Sequence, residues 1–464
     1  MSDVVIIGGG PGGYEAALVA AQLGARTTVV DSDGLGGSAV LTDCVPSKTL
    51  IATAEVLTDL DGSAELGVHF RDDDGDLADK AFVDLERVNE RVLKLAADQS
   101  RDITEQLEEA GVRVVSGRGR LDGAERVAVT TADGGTETLS ADAVLLATGA
   151  APRTLPSAEP DGERIFTWEQ IYTLTELPEK LVVVGSGVTG AEFASAYHAL
   201  GADVTLVSSR DRVLPGEDAD AAQVLEDVLR RRGMEVLSKS RMASVVRDGD
   251  TVTVTLTDGR SVECSHCLLA LGSVPRTGDL GLETAGVHLD EGGFIDVDRV
   301  SRTSARGVYA AGDCTGVLML ASVAAMQGRI AMRHALGDAV VPLDLHTVAS
   351  NVFTAPEIAT VGWSQEDVDA RPEAAERVML PLSGNPRAKM QGVHEGFVKL
   401  FCRPGTGIVV GGVVVGPRAS ELIHPVSLAV GESLTADQVA QAFTIYPSMS
   451  GSLAEAARRL HRAG

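Results

Sequence analysis

The residues with the clearest chemistry lie in two short segments near the start of the chain. The first contains Gly8, Gly10 and Gly13, and an acid, Asp31, follows it. Glycine allows a tight turn and a close approach of the backbone to a phosphate, and a carboxylate about 20 residues further on can accept a hydrogen bond from a ribose hydroxyl. The second segment, 44–48, holds a cysteine thiol and a lysine ammonium group. The first segment predicts dinucleotide binding, although a glycine turn can also be purely structural.

Regular elements are expected to position these residues. The apolar run 4–7 predicts a strand that ends at the glycine turn, and the alanine-rich segment 14–23 predicts a helix. A second strand, 27–30, then ends at Asp31. In this order the helix start offers free N–H groups and a positive dipole end to a pyrophosphate.

The same unit is repeated later in the chain, after the apolar run 181–184. Two such units in one chain are more specific evidence for nucleotide binding than a single unit, and they predict two nucleotide sites. Ser208 takes the place that Asp31 has in the first unit, so the second unit lacks the carboxylate that would reject a 2′-phosphate. Arg210 and Arg212 follow, either as nucleotide ligands or as solvated surface residues. We expect the second unit to accept NADPH, with NADH remaining open.

Other segments predict the elements between and after these units. The acidic stretch 59–76 is expected to be a surface loop, and 83–110 a long amphipathic helix. Residues 143–149 predict a buried strand, and Pro152 and Pro156 then break regular structure. Further expectations are a strand ending at Asp313, a helix over 320–336, strands over 348–353, 397–402 and 408–415, and helices after Ser420 and Thr435.

The composition limits the classes of function. A chain of 464 residues is long enough for two to four domains, and 44% hydrophobic residues with 51 glycines fit a globular α/β protein. A net charge of −26 disfavours nucleic acid and anionic membranes as partners. With no signal-peptide pattern, no apolar run of membrane-spanning length and five scattered cysteines, we expect a cytoplasmic protein without an integral membrane segment. Cys264 and Cys267 have no second ligand pair, so we expect strand thiols and no metal site.

The segment from Gly36 to Lys48 resembles the active-site helix of the FAD-dependent pyridine nucleotide-disulfide oxidoreductases, the family of dihydrolipoamide dehydrogenase and glutathione reductase. The segments 147–149, 307–313 and 353–359 resemble further motifs of that family, so the resemblance covers nearly the whole chain. It implies an α/β fold with two Rossmann-like dinucleotide-binding domains and an α+β C-terminal dimerisation domain. The implied boundaries are 1–150 with 271–345 for FAD, 151–270 for NAD(P), and 346–464 for a homodimer interface.

The resemblance also implies the site residues. Lys48 is expected near flavin N5, paired with Glu192, unless that pair is an ordinary interdomain salt bridge. Asp313 is expected to bind the ribityl chain, although it could equally cap a helix. Val188 replaces a tyrosine that covers the flavin in some relatives, so access there is expected to be looser. The full FAD set is Gly8, Gly10, Gly13, Asp31, Gly37, Ser38, Lys48, Thr148, Gly149, Asp313 and Ala321. The NAD(P)H set is Gly185, Gly187, Val188, Gly190, Glu192, Ser208, Arg210 and Gly272.

Three positions depart from the family pattern. The family carries a first redox cysteine where this chain has Ala39, and a histidine and a glutamate where it has Tyr446 and Gly451. A disulfide needs two sulfurs, with Cα atoms about 4.4–6.8 Å apart, and exchange needs a second thiol. A phenol with a reference pKa of about 10 is a poor proton shuttle at neutral pH. We therefore expect no disulfide relay.

These observations predict an FAD-dependent NAD(P)H:quinone oxidoreductase that transfers two electrons directly to a quinone, as in the branch of the family that lacks the first cysteine. Lys48 and Glu192 are the expected catalytic residues, with Cys44 and Tyr446 as further candidates. Tyr446 either donates a hydrogen bond to the quinone or fills space, and the face of the flavin that binds the quinone stays open. One alternative is a flavoprotein peroxidase or disulfide reductase that uses Cys44 alone. Another is a non-catalytic, redox-responsive FAD-binding subunit.

Overall fold

A computed structural model describes residues 1–68 and 82–461 of the chain. The first part of the chain, which includes the first glycine unit, contains β1 (Asp3–Ile7), α1 (Pro11–Gln22), β2 (Arg26–Asp31), α2 (Gly37–Leu41), α3 (Cys44–Asp61), α4 (Leu85–Glu109), β3 (Arg113–Leu121), β4 (Arg126–Thr131), β5 (Thr136–Ser140), β6 (Ala143–Leu146) and β7 (Ala150–Pro152). The second glycine unit contains β8 (Ile165–Thr167), β9 (Lys180–Val184), α5 (Val188–Ala199), β10 (Asp203–Val207), α6 (Ala219–Arg231), β11 (Glu235–Leu237), β12 (Met242–Asp248), β13 (Thr251–Leu256), β14 (Ser261–Cys264) and β15 (His266–Leu269).

The chain then returns to the first sheet and continues into a C-terminal region. The returning elements are β16 (Ser273–Pro275), α7 (Leu282–Ala285), β17 (Val308–Ala310) and α8 (Ala321–Ala335). The C-terminal elements are β18 (Ala349–Val352), β19 (Glu357–Gly362), α9 (Gln365–Ala370), β20 (Glu376–Pro381), α10 (Pro386–Met390), β21 (Phe397–Cys402), β22 (Val409–Gly416), α11 (Ala419–Leu422), α12 (His424–Gly431), α13 (Ala436–Gln441) and α14 (Gly451–Leu460). Short 3-10 helices span Gly62–Ala64, Ile171–Thr173, Asp313–Thr315, Leu345–Thr347 and Leu382–Gly384.

The first sheet has the strand order β17-β6-β1-β2-β3-β4-β5. Its strands from β17 to β3 are parallel, and β4 and β5 are added antiparallel. The chain leaves β1 for β2 on one side and reaches β6 on the other, so the strand order reverses at β1. In parallel α/β sheets ligands bind beyond the carboxyl ends of the strands at such a reversal. The topology therefore places the first glycine turn at the expected ligand edge.

The second sheet repeats this arrangement with the order β11-β10-β9-β15-β8, all parallel. An antiparallel three-stranded sheet, β12-β13-β14, packs beside it, and the pair β7-β16 carries the chain into and out of the second unit. The third large sheet is antiparallel, with the order β18-β19-β22-β21-β20. A hydrophobic core forms where this sheet packs against α11 to α14.

Most element expectations are confirmed, and a few are corrected. Residues 59–76 are not all loop: α3 continues to Asp61 and a 3-10 helix follows, while 69–76 lie outside the described residues. The acidic residues of the last turn of α3 face solvent, so their polarity marks an exposed helix face instead of a loop. The first helix begins at Pro11, three residues before Tyr14, because proline suits the first helical position. In the described part of the chain no helix is long and apolar enough to span a membrane.

Candidate active site

A cavity of about 740 Å³ lies beyond the carboxyl ends of β1, β2, β6 and β17. Most of the residues that the sequence predicts for FAD line it. They are Gly8, Gly10, Asp31, Gly37, Ser38, Thr148, Gly149, Asp313 and Ala321. Cys44 and Ala39 line the same cavity. The structure thus gathers the first glycine turn, the thiol and the position of the missing sulfur around one space.

Gly13 contributes to the site by packing, because it lies behind the cavity wall. A Cβ atom there would lie 1.9 Å from the carbonyl oxygen of Gly8, so only glycine lets α1 approach β1 this closely. The second unit repeats this contact: a Cβ atom on Gly190 would lie 1.8 Å from the Gly185 carbonyl oxygen. The two glycine turns therefore have the same steric requirement, which confirms the internal repeat.

Backbone N–H groups hold the carboxylate of Asp31 at the cavity edge. Its Oδ2 accepts from Gly9 at 2.6 Å, and its Oδ1 accepts from Asp33 and Gly34 at 2.8 Å. An ionised carboxylate offers about four acceptor positions, so one remains for a ligand hydroxyl. This arrangement suits a ribose.

The cavity also fits the flavin end of a dinucleotide. Both α1 and α8 begin at its wall with no acidic residue in the first turn and no side-chain cap, so their N–H groups and dipoles are available to negative charge. Asp313 begins a 3-10 helix next to α8, and Gln327 fixes that turn by accepting from the Gly312 N–H at 2.8 Å. The sequence did not single out Gln327, which is buried. The donor set and the glycine cradle fit FAD, and Asp31 and Asp313 remain the residues expected to bind its ribose and ribityl hydroxyls.

Lys48, Glu192 and Phe353 meet at a junction of all three parts of the chain. Nζ of Lys48 lies 2.9 Å from Oε2 of Glu192, and Oε1 of Glu192 accepts from the Phe353 backbone N–H at 2.8 Å. The Phe353 ring centroid is 5.1 Å from the ammonium group. Burial acts to lower the pKa of Lys48, but attraction to Glu192 and their hydrogen bond outweigh it, and the pKa is raised. The ammonium group is therefore held in its charged form.

The Cys44 thiol has no sulfur partner in the cavity. None of the five cysteines forms a disulfide with another described residue, and Cys44 alone among them lines this space. Burial, reinforced by Asp43, raises its pKa to about 12. The thiolate is the reactive form of cysteine, so the raised pKa keeps this thiol in its less reactive, protonated form at neutral pH.

Six charged residues of the cavity wall were missed from the sequence: Asp33, Asp43, Arg118, Glu169, Arg276 and Asp279. Burial raises the pKa of Asp43 and of Glu169, and it raises the pKa of Asp313 to about 6. Asp43 could have been predicted from the sequence, because it places a carboxyl group directly before the Cys44 thiol. Arg276 bridges Asp33 at 3.4 Å and Glu169 at 3.5 Å, contacts that depend on the folded chain.

In the second unit, Gly185, Gly187 and Val188 form the turn into α5, and Glu192 lies on that helix. The structure places Ser208 below the surface, where its hydroxyl lies 2.7 Å from that of Ser186. Ser208 therefore shapes the loop and does not face solvent. Gly272 lies in the β15–β16 connection at a φ of +86°, which suits glycine.

The two arginines after β10 differ in their surroundings. Arg212 donates to the carbonyl oxygens of Pro215 and Glu217, at 3.2 and 3.4 Å, and so ties down its own loop. Arg210 is exposed, and its guanidinium has no hydrogen bond or ion pair with the described residues. Of the two, Arg210 is free to meet a ligand.

Tyr446 lies away from the cavity of its own chain. Its side chain is 82% exposed, beside the equally exposed Phe443 and Ile445. Asn385 holds the following turn by donating to the Ser448 carbonyl at 3.0 Å. Cys264 and Cys267 are buried at the end of β14 and in β15, as expected for strand thiols.

Comparison with known proteins agrees with this architecture. A family model described as pyridine nucleotide-disulphide oxidoreductase matches residues 2–328, and the dimerisation domain of the same family matches residues 348–457. The chain is 57% identical to the NAD(P)H dehydrogenase (quinone) of Mycobacterium tuberculosis, over 99% of this chain and 94% of that relative. It is 34% identical to the dihydrolipoyl dehydrogenase of Chlorobaculum parvum, over 98% and 96%. The crystal structure of LpdA from Mycobacterium tuberculosis superposes with a TM-score of 0.94 at 55% identity, covering 100% of both chains.

Proposed function

Because the chain belongs to the pyridine nucleotide-disulphide oxidoreductase family, we propose that it is an FAD-dependent NAD(P)H:quinone oxidoreductase without a disulfide relay. The observation that carries the proposal is a contrast between two groups of residues. The Lys48–Glu192 ion pair, expected on the nicotinamide side, is complete, whereas a single cysteine, Cys44, lines the cavity, with Ala39 at the position of the family's first cysteine. Electrons can then leave the site only by direct transfer to an acceptor that needs no thiol chemistry. Quinones meet that requirement, and the similar protein from Mycobacterium tuberculosis carries the corresponding name.

When bound, FAD would accept a hydride from NAD(P)H and supply two electrons to the quinone. Lys48 favours this chemistry because a fixed cation stabilises negative charge that develops next to it in a water-poor site. Glu192 and the Phe353 backbone hold the ammonium group in place, so it does not have to reorganise during the reaction. Ala39, which also lines the cavity, has a short side chain and would therefore take up little of the space that an aromatic acceptor needs.

The proposal includes a homodimer. The exposed segment of Phe443, Ile445 and Tyr446 precedes α14 in the region that matches the dimerisation domain. Three large apolar side chains that are more than 80% exposed favour a partner surface over solvent. In such a dimer Tyr446 would face the cavity of the other subunit, where it either contacts the quinone or fills the volume of the missing histidine.

The proposed nucleotide is NADPH, with NADH as a second substrate. The second unit lacks an acid at Ser208, and the guanidinium of Arg210 is available to a 2′-phosphate. A carboxylate at Ser208 would have repelled that phosphate.

The surroundings of Cys44 argue against the alternative in which this thiol is catalytic. Oxidation to sulfenic acid requires thiolate character, and the thiol pKa of about 12 suppresses the thiolate. A purely structural role is disfavoured by the assembled Lys48–Glu192–Phe353 junction, which a scaffold would not need.

The test of the proposal compares two acceptors. Purified FAD-loaded protein is mixed with NADPH or NADH and then with menadione or lipoamide. Rapid menadione reduction without lipoamide turnover is the expected result. Turnover of lipoamide would contradict the proposal, because it would require a second redox thiol. Failure of NAD(P)H to reduce the bound flavin under anaerobic conditions would favour the non-catalytic alternative.

A further inference from the structure

Asp43 is a half-buried acid in the cavity wall that the proposed function has not used. It lies between Ala39 and Lys48 in sequence, directly before α3, and it lines the cavity beside Cys44. Its backbone N–H donates to the Ser38 carbonyl and its carbonyl accepts from the Ser47 N–H, both at 2.7 Å. Its carboxyl group caps no helix and has no hydrogen bond with the described residues. The backbone is therefore fixed on both sides while the acid remains free to act.

The proposed reaction needs a proton at this place. One hydride and one proton convert a quinone into a hydroquinone: NAD(P)H supplies the hydride with its two electrons, and the proton comes from solvent. Relatives with a redox disulfide use a histidine as their acid–base group, and this chain has Tyr446 there. A group inside the cavity must then deliver the proton, or the hydroquinone anion must leave unprotonated.

We propose that Asp43 is the general acid that protonates the quinone oxygen during reduction. This inference rests on the proposed function. In the step, the O–H bond of the Asp43 carboxylic acid breaks and a new O–H bond forms on the quinone oxygen. The resulting carboxylate is reprotonated from solvent, so each turnover consumes one proton and no other reactant. The quinone then occupies the side of the cavity that Ala39, Cys44 and Asp43 line.

The groups around Asp43 support this assignment. The groups that interact with Asp43 electrostatically are Cys44, Lys48, Glu192, Glu169, Tyr172 and Asp313. Burial raises the pKa of Asp43, and Glu192 adds to this, while Lys48 opposes it. A raised pKa keeps a larger fraction of the acid protonated near neutral pH, which is the condition for donating a proton.

Neighbouring groups are less suited to the same task. The Cys44 thiol is too weak an acid, with a pKa of about 12. The Lys48 ammonium group is bound to Glu192 and its pKa is raised. Tyr172 is buried and its phenol pKa lies well above the usual value. Glu169 is paired with Arg276 at 3.5 Å, and Asp313 is expected to bind the ribityl chain. Asp43 is thus the acid in this part of the cavity wall that has neither an ion-pair partner among the described residues nor an expected role toward the cofactor.

The test separates electron transfer from proton transfer. Wild type and Asp43→Asn are reduced anaerobically with NADPH and then mixed in a stopped-flow instrument with either menadione or ferricyanide. Ferricyanide accepts electrons without a proton. We expect Asp43→Asn to react with menadione at least about tenfold more slowly, with unchanged ferricyanide reaction and unchanged flavin reduction by NADPH. Asp59→Asn, on the solvent face of α3, is the matched control and should behave as wild type in all three measurements.

A second measurement is independent of turnover. Infrared difference spectra of wild type across a pH titration should contain the C=O band of a carboxylic acid that titrates above the usual aspartate range and is missing in Asp43→Asn. Equal menadione rates in wild type and Asp43→Asn, or a slowing with ferricyanide as well, would overturn the proposal for Asp43. If wild type itself does not reduce menadione, it is the proposed function that fails.

Discussion

Nζ of Lys48 lies 2.9 Å from Oε2 of Glu192, and this ion pair joins α3 to α5, the helix that follows the second glycine turn. Phe353, from the third sheet region, donates its backbone N–H to the other oxygen of the same carboxylate. The cation is thus positioned by all three parts of the chain. An ordinary surface salt bridge contributes little, but Glu192 is only 4% exposed in its side chain, so this pair is largely removed from solvent.

Replacing Lys48 by methionine should slow flavin reduction by NAD(P)H by about 100-fold, because the site loses the cation that stabilises developing negative charge. Anaerobic stopped-flow absorbance measures this rate directly. Lys48→Arg keeps the charge and should retain much more of the rate. An unchanged rate in Lys48→Met would mean that the pair is only structural.

Asp313→Asn should affect stability and cofactor binding in opposite directions. Burial raises the folded pKa of Asp313 to about 6, above its unfolded value of about 3.8, so this group costs stability that grows as the pH rises from about 4 and is complete above about 6. The apoprotein of Asp313→Asn should therefore be more stable than wild type at pH 8, by up to roughly 3 kcal/mol, with the difference fading as the pH falls toward 4.

FAD affinity should fall in the same variant, because the ionised carboxylate is the better acceptor for ribityl hydroxyls. Urea unfolding of the apoprotein at several pH values and FAD titration by fluorescence check the two effects. A variant that is destabilised at pH 8 would contradict the assignment of the raised pKa to unfavourable burial.

Arg210→Gln should raise the KM for NADPH by about tenfold and leave the KM for NADH unchanged, because one charge-assisted contact to the 2′-phosphate is lost. Steady-state kinetics with both nucleotides measure the ratio. Arg241→Gln, an exposed arginine elsewhere in the same unit, is the control and should change neither constant. Equal changes in the KM values for both nucleotides would show that Arg210 does not bind the 2′-phosphate.

Lys399→Met should lower the free energy of unfolding by about 3–5 kcal/mol, because it leaves buried carboxylate charge unpaired. Lys399 is 1% exposed, and its Nζ lies 2.8 Å from Asp218 and 2.7 Å from Asp220, linking β21 to the start of α6. Denaturant unfolding of the FAD-loaded protein measures the effect. Arg377, on the neighbouring strand β20, forms an exposed ion pair with Asp369 of α9. The control Arg377→Met removes this pair and should change stability by less than about 1 kcal/mol.

The sequence alone was sufficient to predict those features that a single local rule determines. Asp31 and Asp313 both follow short apolar strands, and Gly13 and Gly190 stand where any Cβ would collide with the preceding turn. Such positions can be read without knowing the rest of the fold. The long helix α4 was predictable for the same reason, since its amphipathic period is contained in its own residues.

The remaining features depend on contacts between distant segments. Phe353 reaches Glu192 through a backbone N–H, which no side-chain pattern reveals. Ser208 was expected beside the nucleotide, but its hydroxyl pairs with Ser186 in the interior. Asp43 gains its raised pKa from burial in a cavity whose walls come from several strands, an environment that cannot be read from the residues next to it in the sequence.

The most direct test of the account is a single-turnover comparison of wild type and Cys44→Ser. Each protein is reduced with one equivalent of NADPH without oxygen, and flavin reoxidation by menadione is followed by absorbance. Direct transfer from flavin to quinone predicts that Cys44→Ser keeps at least half of the wild-type rate, because the thiol carries no electrons. Loss of reoxidation in Cys44→Ser, with flavin reduction intact, would show that Cys44 is a redox group and would contradict the account.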